Sequence, residues 1–394
     1  AGAGGAVLSS VYRAAAEIGE LGDNAASLRA AIESDELLHL ALAADGAQAL
    51  VLGHTRWASV GIISEANAHP LNSDEEAGGT SGPYVTAALN GDVDNFADLK
   101  SAHGLVLAPE ITTDAKVIPT LVSRRVAAGE SLDSAFRAAV ASMEGSVAIG
   151  ASAATSPDRL HLALRGSGQA LYVGLAEDVY IVASEPYGVV EETATYLRLD
   201  GETPANPENP TASRGQIVVL DGSRAGTRDG IDRHAYDGTP LPVTEADLAT
   251  AQITTRDIDR GSFPHFLLKE ITEAPTSFRK TLRGKLVERD GGLSVVLGPD
   301  PLPDDLRVDL AEGRITRVIV TGQGTAAVAG ESLAVALADA LKDTAVRVDA
   351  VLATELSGFA MRPDMSDTLV VAISQSGTTT DTNRTVDVVR ARGA

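Results

Sequence analysis

The sequence predicts an α/β protein in two parts: a first part rich in short strands and a second part with a parallel sheet. Short apolar runs bounded by turn residues recur from residue 47 to residue 220, a pattern typical of strands in one or two sheets. Further along, a strand, a small-residue loop and a helical pattern occur twice about fifty residues apart, which is typical of a parallel sheet with helical crossovers.

Length and composition narrow the protein class. The chain has 394 residues, and at ~150 residues per domain this predicts two or three domains. Apolar residues make up 44% and charged residues 22%, the mixture of a folded globular protein. The 32 Lys and Arg against 54 Asp and Glu give a net charge of −22. Such a field repels phosphate backbones and anionic lipids, so binding to nucleic acid or to a membrane surface is disfavoured.

Targeting segments and cysteine content limit the class of protein further. No window approaches the ~18 uninterrupted apolar residues of a membrane span, and the first residues carry no basic region of a signal peptide, so we expect a cytoplasmic protein. The chain contains no cysteine, which rules out disulfides, thiolate metal sites and a cysteine nucleophile within it. It lacks an initiator Met and stops at Ala394 directly after a helical pattern, so we expect it to be truncated at both ends.

Periodicity predicts the elements of the first part in order. Residues 9–43 carry apolar residues at helical spacing with an interruption near residues 19–24, which predicts two helices, and further helices are expected at residues 113–127 and 131–143. Residues 221–262 are rich in Gly, Asp, Arg, Thr and Pro, which is typical of a connector. The predicted strands are AQALVLGH, PYVTAALNG, GSVAIGASA, QALYVGL, VYIVAS, TYLRL and GQIVVLDG.

The second part begins with a long amphipathic stretch, HFLLKEITEAPTSFRKTLRGK, followed by the two strand–loop–helix units. In the later unit, residues 374–379 follow a continuous apolar strand and combine hydroxyls, backbone N–H groups and the positive end of a helix dipole, which suits a phosphate dianion without any Lys or Arg. The same Ser and Thr residues can serve only as helix caps, but four hydroxyls beside Gly377 favour an anion site. The loop at residues 321–327 of the earlier unit is similar and poorer in hydroxyls.

Polar candidates in the first part each have two interpretations. Arg56, beside the only Trp, suits a carboxylate, Asp114 suits an ammonium group, and Asn90 with Gly91 can offer an amide and a backbone N–H to an oxyanion. Equally, Asn-Gly is a common hairpin turn, Asp114 can be an N-cap, and Arg56 can serve a buried ion pair. The seven His residues show no metal spacing, and we interpret His54 and His69 as hydrogen-bonded structural residues.

The order of short motifs resembles that of the glutamine-dependent glucosamine-6-phosphate synthases, the glutamine:fructose-6-phosphate aminotransferases. The resemblance runs from about Gly53 onward. The motifs that carry it are GHTRWAS at 53–59, NAHP at 67–70, LNG at 89–91, TTDAKVI at 112–118, EGSVAI at 144–149, HFLLKEI at 265–271, GQGT at 322–325 and ISQSGTTTDT at 373–382.

The resemblance implies an N-terminal-nucleophile glutaminase with an αββα arrangement at residues 1–225, a linker at 226–262, and a sugar isomerase (SIS) domain of parallel-sheet type at 263–394. It implies that L-glutamine supplies ammonia to fructose 6-phosphate or a related sugar phosphate, giving glucosamine 6-phosphate with no metal or organic cofactor. It also implies a homodimer when the chain is full length.

The resemblance also implies roles for residues that match the motifs. Arg56 would hold the α-carboxylate of glutamine and Asp114 its α-amino group, with Ser59 as a further glutamine contact. Asn90 and Gly91 would form the oxyanion hole, and Trp57 would lie near the ammonia route. The implied sugar-phosphate ligands are Thr325, Ser374, Gln375, Ser376 and Thr379.

Several positions depart from the family pattern. The family nucleophile is an N-terminal Cys, whereas this chain starts with Ala1 and has no Cys, so we expect it not to hydrolyse glutamine. Val60 replaces an imidazole, Ala326 replaces a hydroxyl, and Thr378 replaces a Glu. The resemblance also implies that the chain ends within the first SIS unit. The alternative to a partial aminotransferase is therefore a sugar-phosphate-binding SIS protein, an isomerase or a sensor, with an inactive glutaminase half.

Overall fold

The structure is a computed structural model that describes residues 7–15, 22–56, 60–75, 82–166, 169–203, 214–251, 260–289, 291–296, 303–375 and 379–394. The chain divides into two compact units, Ala1–Asp259 and Arg260–Ala394. Within the described ranges, no helix has both the length and the apolar character needed to cross a bilayer.

Unit 1 contains two antiparallel sheets. The first sheet has six strands in the order β1-β2-β3-β4-β8-β9, and the second has four in the order β10-β7-β5-β6. The strands are β1 Leu71–Asn72, β2 Val85–Gly91, β3 Val147–Ala153, β4 Ser156–Arg165, β5 Tyr172–Ala176, β6 Val179–Ala183, β7 Thr195–Arg198, β8 Gln216–Asp221, β9 Ile231–Ala235 and β10 Leu248–Thr250.

Alternation along the strands builds two cores, one on each face of the first sheet. In β3, Ile149 belongs to the core on the helical side, whereas its neighbour Ala148 belongs to the core between the sheets. Phe136 joins the helical side and Val173 the side between the sheets. The described helices of this unit are α1 Asp23–Glu33, α2 Glu36–Leu42, α3 Phe96–Ala102, α4 Val117–Ala127, α5 Leu132–Ala141 and α6 Tyr187–Val190.

A short helix forms the outermost described layer. Gly174 faces away from the inter-sheet core, and a Cβ atom there would lie 2.3 Å from Val189 Cγ1 of α6. The glycine therefore lets α6 pack directly on the outer face of the second sheet. The described layers run from helices through two sheets to this helix, which confirms a mixed α/β architecture with stacked sheets.

The two helices predicted on either side of residues 19–24 need correction, because residues 9–15 are not helical and the second predicted helix is divided into α1 and α2 at residues 34–35. The strand predicted at residues 47–54 is also wrong. That segment pairs with no strand among the described residues, and Val51 is 86% exposed. Leu52 instead lies against the sheet, since its Cδ1 is 3.2 Å from the position that a Cβ of Gly150 would occupy. An apolar run forms a strand only where a neighbouring backbone has free N–H and C=O groups to pair with. This run instead places Leu52 against β3.

The connector expected at residues 226–262 also needs correction. β9 pairs with β8 over five residue pairs, from Gln216–Ala235 to Leu220–Ile231, and β10 pairs with β7. Arg233 of β9 donates to Asp247 Oδ1 at 2.8 Å. Because Asp247 directly precedes β10, this bond joins β9 to the start of β10. Residues 231–250 therefore belong to unit 1. Their turn-rich composition hides strands of three and five residues.

Unit 2 is built on a parallel sheet in the order β14-β13-β15, as the two strand–loop–helix units predict. Val318 and Val320 of β13 pack with Ala334 on one face, and Ile319 packs with Val389 on the other. Helices therefore cover both faces of the sheet. The elements are α7 Phe266–Leu282, β11 Leu286–Arg289, β12 Gly292–Val295, α8 Asp304–Ala311, β13 Arg317–Gly322, α9 Thr325–Ala340, β14 Arg347–Leu352, β15 Thr368–Ala372 and α10 Thr380–Arg390.

Replacing Leu162 by Ala should lower the free energy of unfolding of unit 1 by about 2–5 kcal/mol, because the side chain is 1% exposed between the two sheets and its loss leaves a cavity. The matched control is Leu40→Ala in α2, where the leucine is 71% exposed. Urea unfolding of both variants measures the difference. Equal destabilisation by the two substitutions would contradict the described core.

Candidate functional site

In unit 1 the candidate residues gather around the turn that follows β2. Gly91 ends the strand with φ +119°, and a Cβ there would lie 2.0 Å from the carbonyl oxygen of Ser146. Only glycine fits this position, since any side chain would collide with the neighbouring backbone. Asn90 precedes it on the strand and is exposed, so its amide is accessible at the strand end.

Asp114 is buried and tied to the same turn. Its Oδ2 accepts a hydrogen bond from the backbone N–H of Val93 at 2.7 Å, and its Oδ1 accepts from Thr113 Oγ1 at 3.3 Å. Burial raises the pKa of Asp114, and the nearby charge of Asp92 acts in the same direction. A cationic partner would offset this cost because it favours the charged carboxylate.

Arg56 lies close enough to Asp114 for electrostatic attraction, but its hydrogen bonds go to its own loop. It donates to the carbonyl oxygen of Ile62 at 3.2 Å and to that of Val60. Burial lowers the pKa of Arg56, and the charge of Asp114 acts against that shift. The guanidinium is thus oriented by the backbone of Val60 and Ile62, near the carboxylate that the sequence predicts as its partner in glutamine binding.

A buried amide fixes this loop in place. Asn67 has no exposed surface, and its side-chain oxygen accepts from the backbone N–H groups of Thr112 and Thr113 at 2.8 and 3.0 Å. Its side-chain nitrogen donates to the carbonyl oxygen of Ile62 at 3.2 Å. One side chain therefore joins the loop that holds Arg56 to the segment that leads into Asp114.

Two imidazoles support the strand end from the other side. The rings of His54 and His69 are 4.6 Å apart between centroids, and His69 Nδ1 accepts from the backbone N–H of Leu89 at 3.3 Å. Burial lowers the pKa of His69 to about 3, with His54 and Arg56 acting in the same direction. His69 is therefore neutral at physiological pH, which agrees with its interpretation as a structural residue.

Sequence reasoning missed part of this arrangement. NAHP is one of the motifs that carry the resemblance, but nothing in it marks Asn67 as the residue that joins two segments 45 positions apart. The structure places Asp114 within electrostatic reach of Arg56 and bonds it to Val93, two residues after Gly91. Trp57 and Ser59 lie outside the described residues.

In unit 2 the two candidate loops are side by side, at the carboxyl ends of neighbouring parallel strands. Ile373 donates its backbone N–H to the carbonyl oxygen of Thr321 at 2.8 Å. A Cβ on Gly322 would lie 3.0 Å from the carbonyl oxygen of Ile373, so the glycine allows this close approach. The edge where ligands usually bind in open parallel sheets is thus formed by both loops together.

The helices that follow these loops have no side-chain caps. Gly324 precedes α9, and the Thr379 side chain at the start of α10 makes no capping hydrogen bond. The first N–H groups of both helices therefore have no partner from their N-cap side chains, which suits an anion. Asp381 in the first turn of α10 is exposed.

The structure places the remaining predicted residues of this site as follows. Thr325 is the first residue of α9 and is exposed, whereas Ser374 is half-buried and Gln375 exposed in the loop after β15. Ser376 lies outside the described residues. The described ranges hold no group of three or more His, Asp or Glu side chains placed to share a metal ion.

Comparison with known proteins gives relatives in one class of enzyme, although no protein-family model matches the chain. The glutamine–fructose-6-phosphate aminotransferase (isomerizing) of Corynebacterium diphtheriae is 31% identical over 355 residues, which are 88% of this chain and 49% of that protein. Those of Gloeobacter violaceus and Halalkalibacterium halodurans are 30% and 28% identical, each over 87% of this chain. The predicted resemblance is confirmed, and the chain spans about half the length of these curated relatives.

Solved structures show a weaker likeness. A glutamine phosphoribosylpyrophosphate amidotransferase from B. subtilis, complexed with ADP and GMP, matches 75% of this chain and 50% of its own with 16% identity and a TM-score of 0.35. The allosteric regulatory enzyme of purine biosynthesis matches 44% and 32%, with 20% identity and a TM-score of 0.32. These scores are too low to indicate a common overall fold, so the architecture given above rests on the strand topology of this chain.

Acidification should destabilise unit 1 through His69. The pKa of this group falls from 6.5 when unfolded to about 3 when folded, so below pH 6.5 the unfolded chain takes up a proton that the folded chain does not. Stability is therefore lost as the pH falls from about 6.5 towards 3, by about 2 kcal/mol between pH 7 and pH 5.

Urea unfolding at several pH values measures this loss. The variant His69→Gln should show a smaller pH dependence than the wild type, whereas His39→Gln, which changes an exposed histidine, should keep the wild-type dependence. The same slope in all three proteins would show that His69 does not carry the effect.

Proposed function

We propose that this chain, a relative of the glutamine–fructose-6-phosphate aminotransferases, provides the glutamine-binding unit and the sugar-phosphate loops of such an enzyme. The reaction is the glutamine-dependent amination and isomerisation of fructose 6-phosphate to glucosamine 6-phosphate. The observation that carries the proposal is the pair of loops at the carboxyl ends of β13 and β15, held together by the Ile373–Thr321 backbone hydrogen bond.

The phosphate of the sugar fits these loops for electrostatic reasons. The uncapped N–H groups of α9 and α10 point their partial positive charge towards one edge of the sheet. Thr325 and Thr379 add hydroxyls at the two helix starts, and Ser374 and Gln375 add polar groups from the intervening loop. Ser376 is included among the proposed phosphate ligands only because it matches the family motif. Such a site binds a dianion through dipoles and hydroxyls, without basic side chains.

Unit 1 provides the groups that bind glutamine. The neighbouring opposite charges of Arg56 and Asp114 match the α-carboxylate and α-ammonium of an amino acid. Asn90 and the backbone of Gly91 offer donors to the oxygen of the side-chain amide at the strand end. Ser59 and Trp57 keep the roles that their motif implies, as a glutamine contact and as a residue near the ammonia route.

Ammonia release needs a nucleophile, and the 394 residues contain no cysteine. We therefore assign glutamine binding to this unit but no glutaminase activity to this chain. The same proposal has further parts. It assigns an N-terminal-nucleophile glutaminase to unit 1 and an SIS domain to unit 2, with a domain limit near residue 260. It also includes a cytoplasmic location and a homodimer in the full-length state.

A second candidate function is a sugar-phosphate-binding protein, a sensor or an isomerase, that keeps an inactive glutaminase half. The observation in its favour is that Arg56 donates to the carbonyl oxygens of Val60 and Ile62. These contacts stabilise the loop even when no glutamine is bound. L-glutamine binding separates the two candidates, because the first requires it and the second does not.

Binding of fructose 6-phosphate should raise the melting temperature of the protein, and Thr379→Val should reduce that effect. The substitution removes a hydroxyl that makes no capping bond, so the loss of one hydrogen bond to a charged group should weaken binding by about 1.5–3 kcal/mol without unfolding α10. Thr272→Val is the matched control, since this exposed threonine lies on α7. Equal ligand-induced shifts in both variants would remove the loop from the phosphate site.

Ammonia release from L-glutamine by the purified chain should equal that of a blank without protein, because no thiol is present to attack the amide. An enzyme-coupled ammonia assay measures it, and Asn90→Ala serves as the paired variant. Release that scales with protein concentration and disappears in Asn90→Ala would contradict the assignment.

A further inference from the structure

Among the described residues of unit 2, four buried polar side-chain atoms have no hydrogen-bond partner. Besides Arg362 Nε, they are Thr321 Oγ1, Gln323 Oε1 and Thr382 Oγ1, which belong to the elements around the candidate phosphate loops. Thr321 and Thr382 are 1% and 2% exposed, so bulk water does not satisfy their hydroxyls. Native proteins pair nearly all buried polar groups, so a buried group without a protein partner calls for a ligand or an ordered water.

Two of these atoms face the same side of the sheet. Thr321 lies two residues after Ile319 on β13, so the two side chains are on the same face of the sheet. Ile319 packs with Val389 on the side that α10 covers. Thr382 lies in the first turn of α10, one turn before Thr385, whose Oγ1 donates to the carbonyl oxygen of Ala353 at 2.9 Å beyond the end of β14. Both hydroxyls therefore belong to the carboxyl edge of the sheet, on its α10 side.

Gln323 extends this polar edge. It follows β13 directly, in the loop that contacts Ile373, and it precedes the start of α9. The three residues thus adjoin the proposed phosphate site: Thr382 is one helical turn from Thr379, and Gln323 is two residues from Thr325. Beneath them lies the apolar cluster that includes Ile319 and Leu356, which offers no polar partner.

Hydrogen-bond chemistry decides what can satisfy these atoms. The oxygen of a Gln side chain only accepts, and a phosphate dianion has no proton to donate. Gln323 Oε1 therefore needs a donor other than the phosphoryl group, and a hydroxyl on the ligand supplies one. Threonine hydroxyls donate or accept, so they match further hydroxyls.

We propose that Thr321, Gln323 and Thr382 form a hydroxyl-binding subsite that selects a polyhydroxylated phosphate over a simple phosphate. This inference rests on the proposed function, because it takes the phosphoryl group to lie at the starts of α9 and α10. It assigns specificity to three residues that the motif resemblance leaves without a role.

Isothermal titration calorimetry of the full chain with fructose 6-phosphate and, separately, with inorganic phosphate tests the proposal. Thr382→Val and Thr321→Val keep the side-chain shape and remove the hydroxyl. Each should weaken fructose 6-phosphate binding about tenfold and leave the affinity for inorganic phosphate unchanged. Thr379→Val should weaken both ligands, because it acts on the phosphate itself.

The outcomes separate this inference from the function on which it rests. Unchanged fructose 6-phosphate affinity in Thr382→Val and Thr321→Val, with loss in Thr379→Val, would overturn the subsite and leave the phosphate site intact. Absence of binding by either ligand to the wild type would overturn both. Gln323→Leu gives the same test if a core threonine variant fails to fold, because Gln323 is a half-buried loop residue. Unchanged fructose 6-phosphate affinity in Gln323→Leu would also overturn the subsite.

Discussion

The parallel pairing of β13 with β15 is the constraint on which the candidate site of unit 2 depends. The register places Thr321 opposite Ala372, so the two strands end at the same level and their loops begin side by side. Gly322 lets those loops touch, since a side chain there would meet the carbonyl oxygen of Ile373. Two helix starts that are far apart in sequence are thereby brought to one edge, and their dipoles act on the same small volume.

In unit 1, distant segments are held together by a buried polar network and not by the register of a sheet. Asn67 bonds to the backbone on two loops, and its burial means that water cannot replace a lost bond. The position of Arg56 relative to Asp114 thus depends on an amide that touches neither. Lys116 shows the same principle: its Nζ donates to the carbonyl oxygen of Asn72 at 2.7 Å, and burial lowers its pKa to about 8.

The sequence predicts those features that local chemistry decides. β2 and α4 follow from alternation and helical spacing, and the loop after β15 follows from its hydroxyls and its position before a helix. The failures need information from distant residues. Whether residues 47–54 form a strand depends on a free ladder elsewhere, and the roles of Asn67 and His69 depend on loops and strands some 20–45 positions away. The short strands β9 and β10 are stabilised by their neighbours, which composition does not reveal.

A chain with a net charge of −22 can still bind a dianion, because the two effects act over different distances. The overall field governs which large polyanions approach, and at physiological ionic strength it is screened within about 8 Å. Binding at the proposed phosphate site would be decided within hydrogen-bond distance by N–H groups, and in the first turns of α9 and α10 the only carboxylate is the exposed Asp381. A neutral, dipolar site of this kind also discriminates by shape and by hydroxyl positions, since it has no cation that would attract every anion equally. Under the proposed subsite, selectivity for one sugar phosphate would depend on polar groups beside the phosphoryl group, such as the unpaired atoms of Gln323 and Thr382.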